Sequence, residues 1–202
     1  MIETLIVFAN SVKHSQHCVA GKTLGGGNWI RPVSDKNGKE LDHEQAKYRN
    51  PYGRYLVKPL QKIQMEFASH VPLTHQPENY LISDKEWIQN YNISIPEIPN
   101  YIDDPADLWG NGNAVDSMMV SSGLLTISQS LYLVNVQNLN LFLDGTKRRA
   151  SFVFKGVNYN LPVTDPNFSR LANGEIEHNN YLCVSLGEEY NGRHYKIVAT
   201  VL

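Results

Sequence analysis

Residues 2–9 are dominated by β-favouring side chains (Ile2, Leu5, Ile6, Val7 and Phe8), a run apolar enough for a central strand. Residues 17–24 read as its hairpin partner. Gly25-Gly26-Gly27 then turns the chain into a third strand over Asn28–Val33, closed by Pro32. This meander is an economical start for a small barrel. Residues 34–53 are polar and turn-rich, with one helical turn expected over Asp42–Tyr48 and a tight turn at Asn50-Pro51-Tyr52-Gly53. Tyr55–Phe67 reads as one or two strands and Asn79–Ile82 as a short extended piece. Ser83-Asp84-Lys85-Glu86 ahead of Trp87 carries a helix-start signature and predicts a helix over Asp84–Asn90. Asp104-Pro105 predicts a second over Asp104–Trp109, stopped by Gly110-Asn111-Gly112-Asn113.

Beyond Asp116 the pattern returns to strands. Leu124–Ile127 is apolar, and Ser130–Leu143 alternates strongly. Asp144-Gly145 marks a hairpin, Arg149–Phe154 returns, Lys155-Gly156 turns, and Val157–Val163 goes out again. Residues 165–178 read as loop or short helix, and Tyr181–Leu186 and Tyr195–Val201 as a last strand pair. The pattern predicts a mainly β protein with a few short helices, built as two modules. The first covers residues 1–115, with a helical, acidic insert at about 83–112, and the second covers 116–202.

Composition sharpens this picture. A chain of 202 residues, 42% hydrophobic and 19% charged, can bury a core and has room for two small domains. The net charge of −2 is unevenly spread: residues 1–60 carry +4, 61–145 carry −8 and 146–202 carry +2. This is unlike a non-specific nucleic-acid coat, which is strongly basic, but it permits a small basic groove. Cys18 and Cys183 show no metal-binding spacing and read as buried thiols in a reducing compartment. Glu3 and the lack of a basic leader argue against a secretory signal, and no apolar run reaches membrane-spanning length. A cytoplasmic protein without cofactor or metal is expected.

The candidate chemistry clusters near the N-terminus. Ser11, Lys13 and His14 fall in the polar stretch between the first two strands. Trp29 and Arg31 share one face of the third, since side chains repeat every two residues, and Ser34 follows. Lysine and arginine beside hydroxyl donors suit phosphate, and tryptophan offers a stacking face. The competing reading is an exposed turn with Trp29 in the core. A second cluster, Lys147-Arg148-Arg149, precedes Phe152 and Phe154 at strand spacing, which suits a nucleic-acid-binding sheet or a solvated tip over core phenylalanines. His14, His17 and Cys18 fit no standard metal pattern. The carboxylates Asp103, Asp104, Asp107 and Asp116 would need to converge from separate elements to act as a catalytic pair.

The two ends of the chain together resemble the dual OB-containing domain family of prokaryotic proteins. They are Phe8-Ala9-Asn10-Ser11-Val12-Lys13-His14 with Cys18-Val19-Ala20-Gly21 and Trp29-Ile30-Arg31-Pro32-Val33-Ser34, and Cys183-Val184-Ser185-Leu186-Gly187-Glu188 with Tyr195-Lys196-Ile197-Val198-Ala199. The resemblance implies two OB-like small β-barrels in tandem and a nucleic-acid-binding or sensing role, including in anti-phage defence loci. It adds Lys196 to the candidate residues. The function expected is a non-catalytic module recognising single-stranded or structured nucleic acid, or a nucleotide. Two alternatives stay open. One is an accessory subunit docking a basic protein partner through the acidic middle, and the other is a metal-dependent nuclease or nucleotide hydrolase.

Overall fold

A computed structural model describes residues 1–13, 15–25 and 27–202. The chain divides into two compact units, Met1–Tyr101 and Ile102–Leu202. The division falls ahead of the expected boundary after residue 115. Residues 102–115 bond into the second unit: Asp103 N donates to Leu133 O at 2.7 Å, and Ala114–Asp116 pair with its last strand.

The first unit contains β1 (Ile2–Lys13), β2 (Gln16–Thr23), β3 (Trp29–Val33), β4 (Lys47–Asn50), β5 (Gly53–Leu56), β6 (Gln61–His70), β7 (Asn79–Ile82), β8 (Trp87–Asn92) and a 3-10 helix, Ile95–Tyr101. Five strands close a ring in the order β1-β2-β3-β7-β6-β1, with β3 and β7 parallel. This is the small Greek-key barrel that the opening meander predicts. Leu5, Val7, Val19, Ile30, Ile63, Met65 and Phe67 fill it. The strands β8, β4 and β5 lie outside the ring, added to the second edge of β6. β1 runs on to Lys13, so Ser11 and Lys13 are strand residues and not part of a loop.

The second unit contains β9 (Ala114–Asp116), α1 (Ser117–Ser121), β10 (Leu131–Asn135), β11 (Gln137–Asp144), β12 (Lys147–Phe154), β13 (Val157–Pro162), α2 (Phe168–Ala172), β14 (Tyr181–Tyr190) and β15 (Arg193–Val201). A four-stranded sheet, β10-β14-β15-β9, and a three-stranded sheet, β11-β12-β13, curl around one core. Val136 alone separates β10 from β11, and a parallel bridge, Val163 to Val198, joins the other side. The result is a second OB-like module, a curled half-barrel.

Both predicted helices of the insert are absent. Ser83 Oγ accepts from Lys85 N at 3.1 Å, a local turn, but the segment that follows pairs with β6 and β4 as strand β8. Edge pairing overrides the capping signal. Residues 104–109 are irregular, with bends from 106 onward, and Leu108 N donates to Tyr159 Oη at 3.4 Å instead of starting a helical ladder. Leu124–Ile127 is loop. The helix before it, α1, is capped by Asp116, whose carboxylate accepts from Met118 N at 2.8 Å. Among the described residues no helix is long and apolar enough to cross a membrane.

Cys18 is half-buried on β2 and Cys183 is buried on β14. His17 is also buried. Asn10 donates through Nδ2 to Val57 O at 2.7 Å and accepts from His17 Nδ1 at 2.9 Å, which leaves His17 Nε2 facing His43 Nδ1 at 3.4 Å. Burial, then the His43 ring, hold the His17 pKa below the ordinary 6.5, against the pull of Asp42. The unfolded chain therefore takes up this proton first as pH falls. The stabilisation is present above 6.5 and is lost as pH drops through the depressed folded value. An NMR titration of the His17 ring is expected to give a midpoint below 6.5, and a midpoint at or above it would contradict this environment.

Candidate functional site

In a small Greek-key barrel of this type, the outer face of the second and third strands is where extended ligands lie. In the first unit that face belongs to β2 and β3. Lys22 stands opposite Trp29, and Arg31 follows on the same side. All three are buried, at 3%, 6% and 9% exposure. Lys22 Nζ donates to the Tyr101 carbonyl at 2.6 Å and sits 5.2 Å from the Trp29 ring centre. Phe8 meets Trp29 edge-on at 6.1 Å and Tyr101 at 5.7 Å. The 3-10 helix ending at Tyr101, with Ile98 fully buried, thus covers the face with the protein's own chain. Trp29 and Arg31 are together as the strand period requires, but Trp29 has no open ring face for a base.

The other N-terminal candidates are dispersed. Ser11 is buried on β1. Ser34 Oγ donates to the carbonyls of Lys39 and Glu40, closing a loop. The Lys13 side chain and His14 lie outside the described residues.

In the second unit the equivalent strands are β12 and β13, and their outer face is open. Phe142, Arg149 and Pro162 align across it, and Asn140, Ser151 and Asn160 align in the next register. Arg149 donates from Nε to Asn160 Oδ1 at 2.9 Å and from Nη2 to Asn160 O at 2.6 Å, which fixes the guanidinium flat along the strand. A groove of about 430 Å³ runs here, and its polar walls include Asn113, Asn138, Ser151, Asn158 and Asn160. Lys147 and Arg148 stand exposed at the hairpin end of the same sheet, and Arg148 also lies over the Phe168 ring at 5.7 Å. The asparagines were not among the sequence candidates.

Two sequence candidates in this unit are interior. Phe152 alternates with Arg149 along β12 and stacks on Tyr159 at 5.5 Å within the core, buried at the floor of that groove rather than presented as an open stacking ring. Lys196 is fully buried. Its ammonium donates to Gly110 O at 2.5 Å and Gly112 O at 2.8 Å, and lies 5.3 Å from the Tyr159 ring centre. Burial lowers its pKa to about 8, with Asp107 pulling the other way. Lys196 holds the 110–112 loop to the barrel and cannot reach a phosphate. The acidic middle is likewise engaged within the second unit. Asp103 Oδ2 accepts from Leu133 N, Asp104 pairs with Lys155 at 2.6 Å, and Asp107 Oδ1 accepts from Gly110 N.

A family model described as the dual OB-containing domain matches residues 3–201. The chain belongs to the dual OB-containing domain family. That membership agrees with both the closed five-stranded ring of the first unit and the curled second one, and it makes the chain a small binding module in general terms. No curated protein matches the chain. Within this dual OB protein the corresponding strand faces of the two units differ, that of β2 and β3 being covered and that of β12 and β13 open.

Proposed function

We propose that this dual OB protein binds single-stranded nucleic acid on the outer face of β11, β12 and β13. The observation that carries the reading is the open, asparagine-lined face with Arg149 and Phe142 adjacent across it, at the position where the first barrel's face is covered. Asparagine amides donate and accept at once, which suits base edges. Arg149, Lys147 and Arg148 supply phosphate contacts, and the half-buried Phe142 ring supplies a stacking surface. The mildly basic 146–202 segment fits moderate, salt-sensitive affinity better than tight coating.

The test is fluorescence anisotropy with a labelled single-stranded oligonucleotide across a salt series. Lys147→Ala with Arg149→Ala is expected to lower affinity about tenfold and to flatten the salt slope by about 1.4, the value for two lost phosphate contacts on a single strand. Asn158→Ala is expected to weaken binding without changing the slope. If the double variant binds with unaltered affinity and slope, the face is not the phosphate-contacting surface.

A further inference from the structure

The three added strands of the first unit carry a surface that barrel closure does not need. Cross-strand register places Gln64, Ile88, Arg49 and Arg54 side by side on one face, running β6-β8-β4-β5. Arg49 and Arg54 are directly opposite each other, an arrangement that costs stability unless an anion lies between them. Glu86 supplies one carboxylate for both: Oε2 meets Arg49 Nε at 2.5 Å and Oε1 meets Arg54 Nε at 2.8 Å. Glu44 reaches Arg54 Nη1 at 3.3 Å. Both guanidiniums remain well exposed. On the same added strands, Tyr91 is 76% exposed opposite Lys62, and Tyr52 at the β4–β5 turn is 87% exposed. A groove of about 330 Å³ borders Arg54, its charged lining being Lys47, Arg54 and Lys85 with Glu44, Asp84 and Glu86.

We propose that this face is a second nucleic-acid contact, in which Arg49 and Arg54 grip a backbone phosphate and Tyr91 and Tyr52 stack against unpaired bases. Two adjacent planar forks match the oxygens of a phosphodiester, and Glu86 already occupies the position such an anion would take. Glu86 is therefore an internal competitor that the phosphate displaces. Exposed tyrosine beside arginine is the composition of a sequence-tolerant single-strand platform. An acidic protein segment would use the arginines but would not need bases to stack on the tyrosines. The site uses no residue of the second unit, so it stands or falls separately from the reading above.

The experiment is anisotropy of the full chain with a labelled oligothymidylate, in the presence and absence of Lys147→Ala with Arg149→Ala. Arg49→Ala with Arg54→Ala is expected to weaken binding about tenfold and flatten the salt slope. Glu86→Gln is expected to tighten binding about threefold. Tyr91→Ala, which changes no charge, is expected to weaken it about fivefold at an unchanged slope. Lys36→Ala, an exposed lysine away from this face, serves as the charge control. Loss on removing the arginines that only matches the Lys36→Ala loss would overturn the proposal, as would an unchanged affinity for Tyr91→Ala.

Discussion

Replacing Lys196 by methionine is expected to destabilise the second unit by about 2 kcal/mol near neutral pH, and by progressively more as pH rises. The variant keeps the apolar stem of the side chain but leaves the carbonyls of Gly110 and Gly112 without their donor, at a position with no access to water. The pH dependence follows from the depressed pKa of about 8 against an ordinary 10.5. Between those values the unfolded chain holds a proton that the folded protein has released. Unfolding therefore takes up a proton there, and wild-type stability rises with pH through that window. By about pH 9.5 the gain over neutral pH amounts to about 2 kcal/mol. Methionine has nothing to titrate, so the gap in urea midpoint between wild type and Lys196→Met is expected to widen from pH 7 to about pH 9.5. A constant gap would mean that Lys196 is not charged and buried as described.

Gly21→Ala is expected to cost the first barrel about 3 kcal/mol. Gly21 pairs with Val7 on β1 and Ile30 on β3, at the point where β1 changes register between Val7 and Ala9. A methyl group built there would lie 2.5 Å from Ile6 O, 3.0 Å from Ile6 C and 3.2 Å from Val7 Cα. These are backbone atoms of a central strand, so relief requires moving the strand and not rotating a side chain. Gly25→Ala is the control, since nothing lies within 4 Å of a methyl group at that position. Thermal unfolding should show a clear loss for the first substitution and almost none for the second. Equal midpoints would show that the β1–β2 approach is looser than the geometry states.

These two residues also show what the sequence made legible. The opening meander, the Asp144-Gly145 hairpin and the division into two β modules follow from alternation and turn chemistry, which act locally. The insert did not, because Trp87–Asn92 became a strand only by finding the unpaired edge of β6, a partner no local signal reveals. Lys196 entered as a candidate binding residue through the resemblance alone, and nothing near it in the chain marks it as buried. Its acceptors are Gly110 and Gly112, more than eighty positions earlier. Trp29 and Arg31 do share a face, but the chain that covers it arrives from Ile95–Tyr101. For the open face a signal was present: asparagine is depleted in strands, yet it recurs at Asn138 and Asn140 and again at Asn158 and Asn160. Outward asparagines at alternating strand positions mark a surface kept polar and rich in both donors and acceptors.

The most direct test of the binding account is an NMR titration of the labelled protein with a short single-stranded oligonucleotide, following every backbone amide. The expected result is a contiguous set of shifts on the face of β11, β12 and β13, centred on Asn140, Arg149, Ser151 and Asn160, and a separate set around Arg49, Arg54 and Tyr91, with the amides of Lys22, Trp29 and Arg31 unmoved beneath the 3-10 helix. Shifts confined to Lys22, Trp29 and Arg31, or no shifts at saturating oligonucleotide, would contradict it.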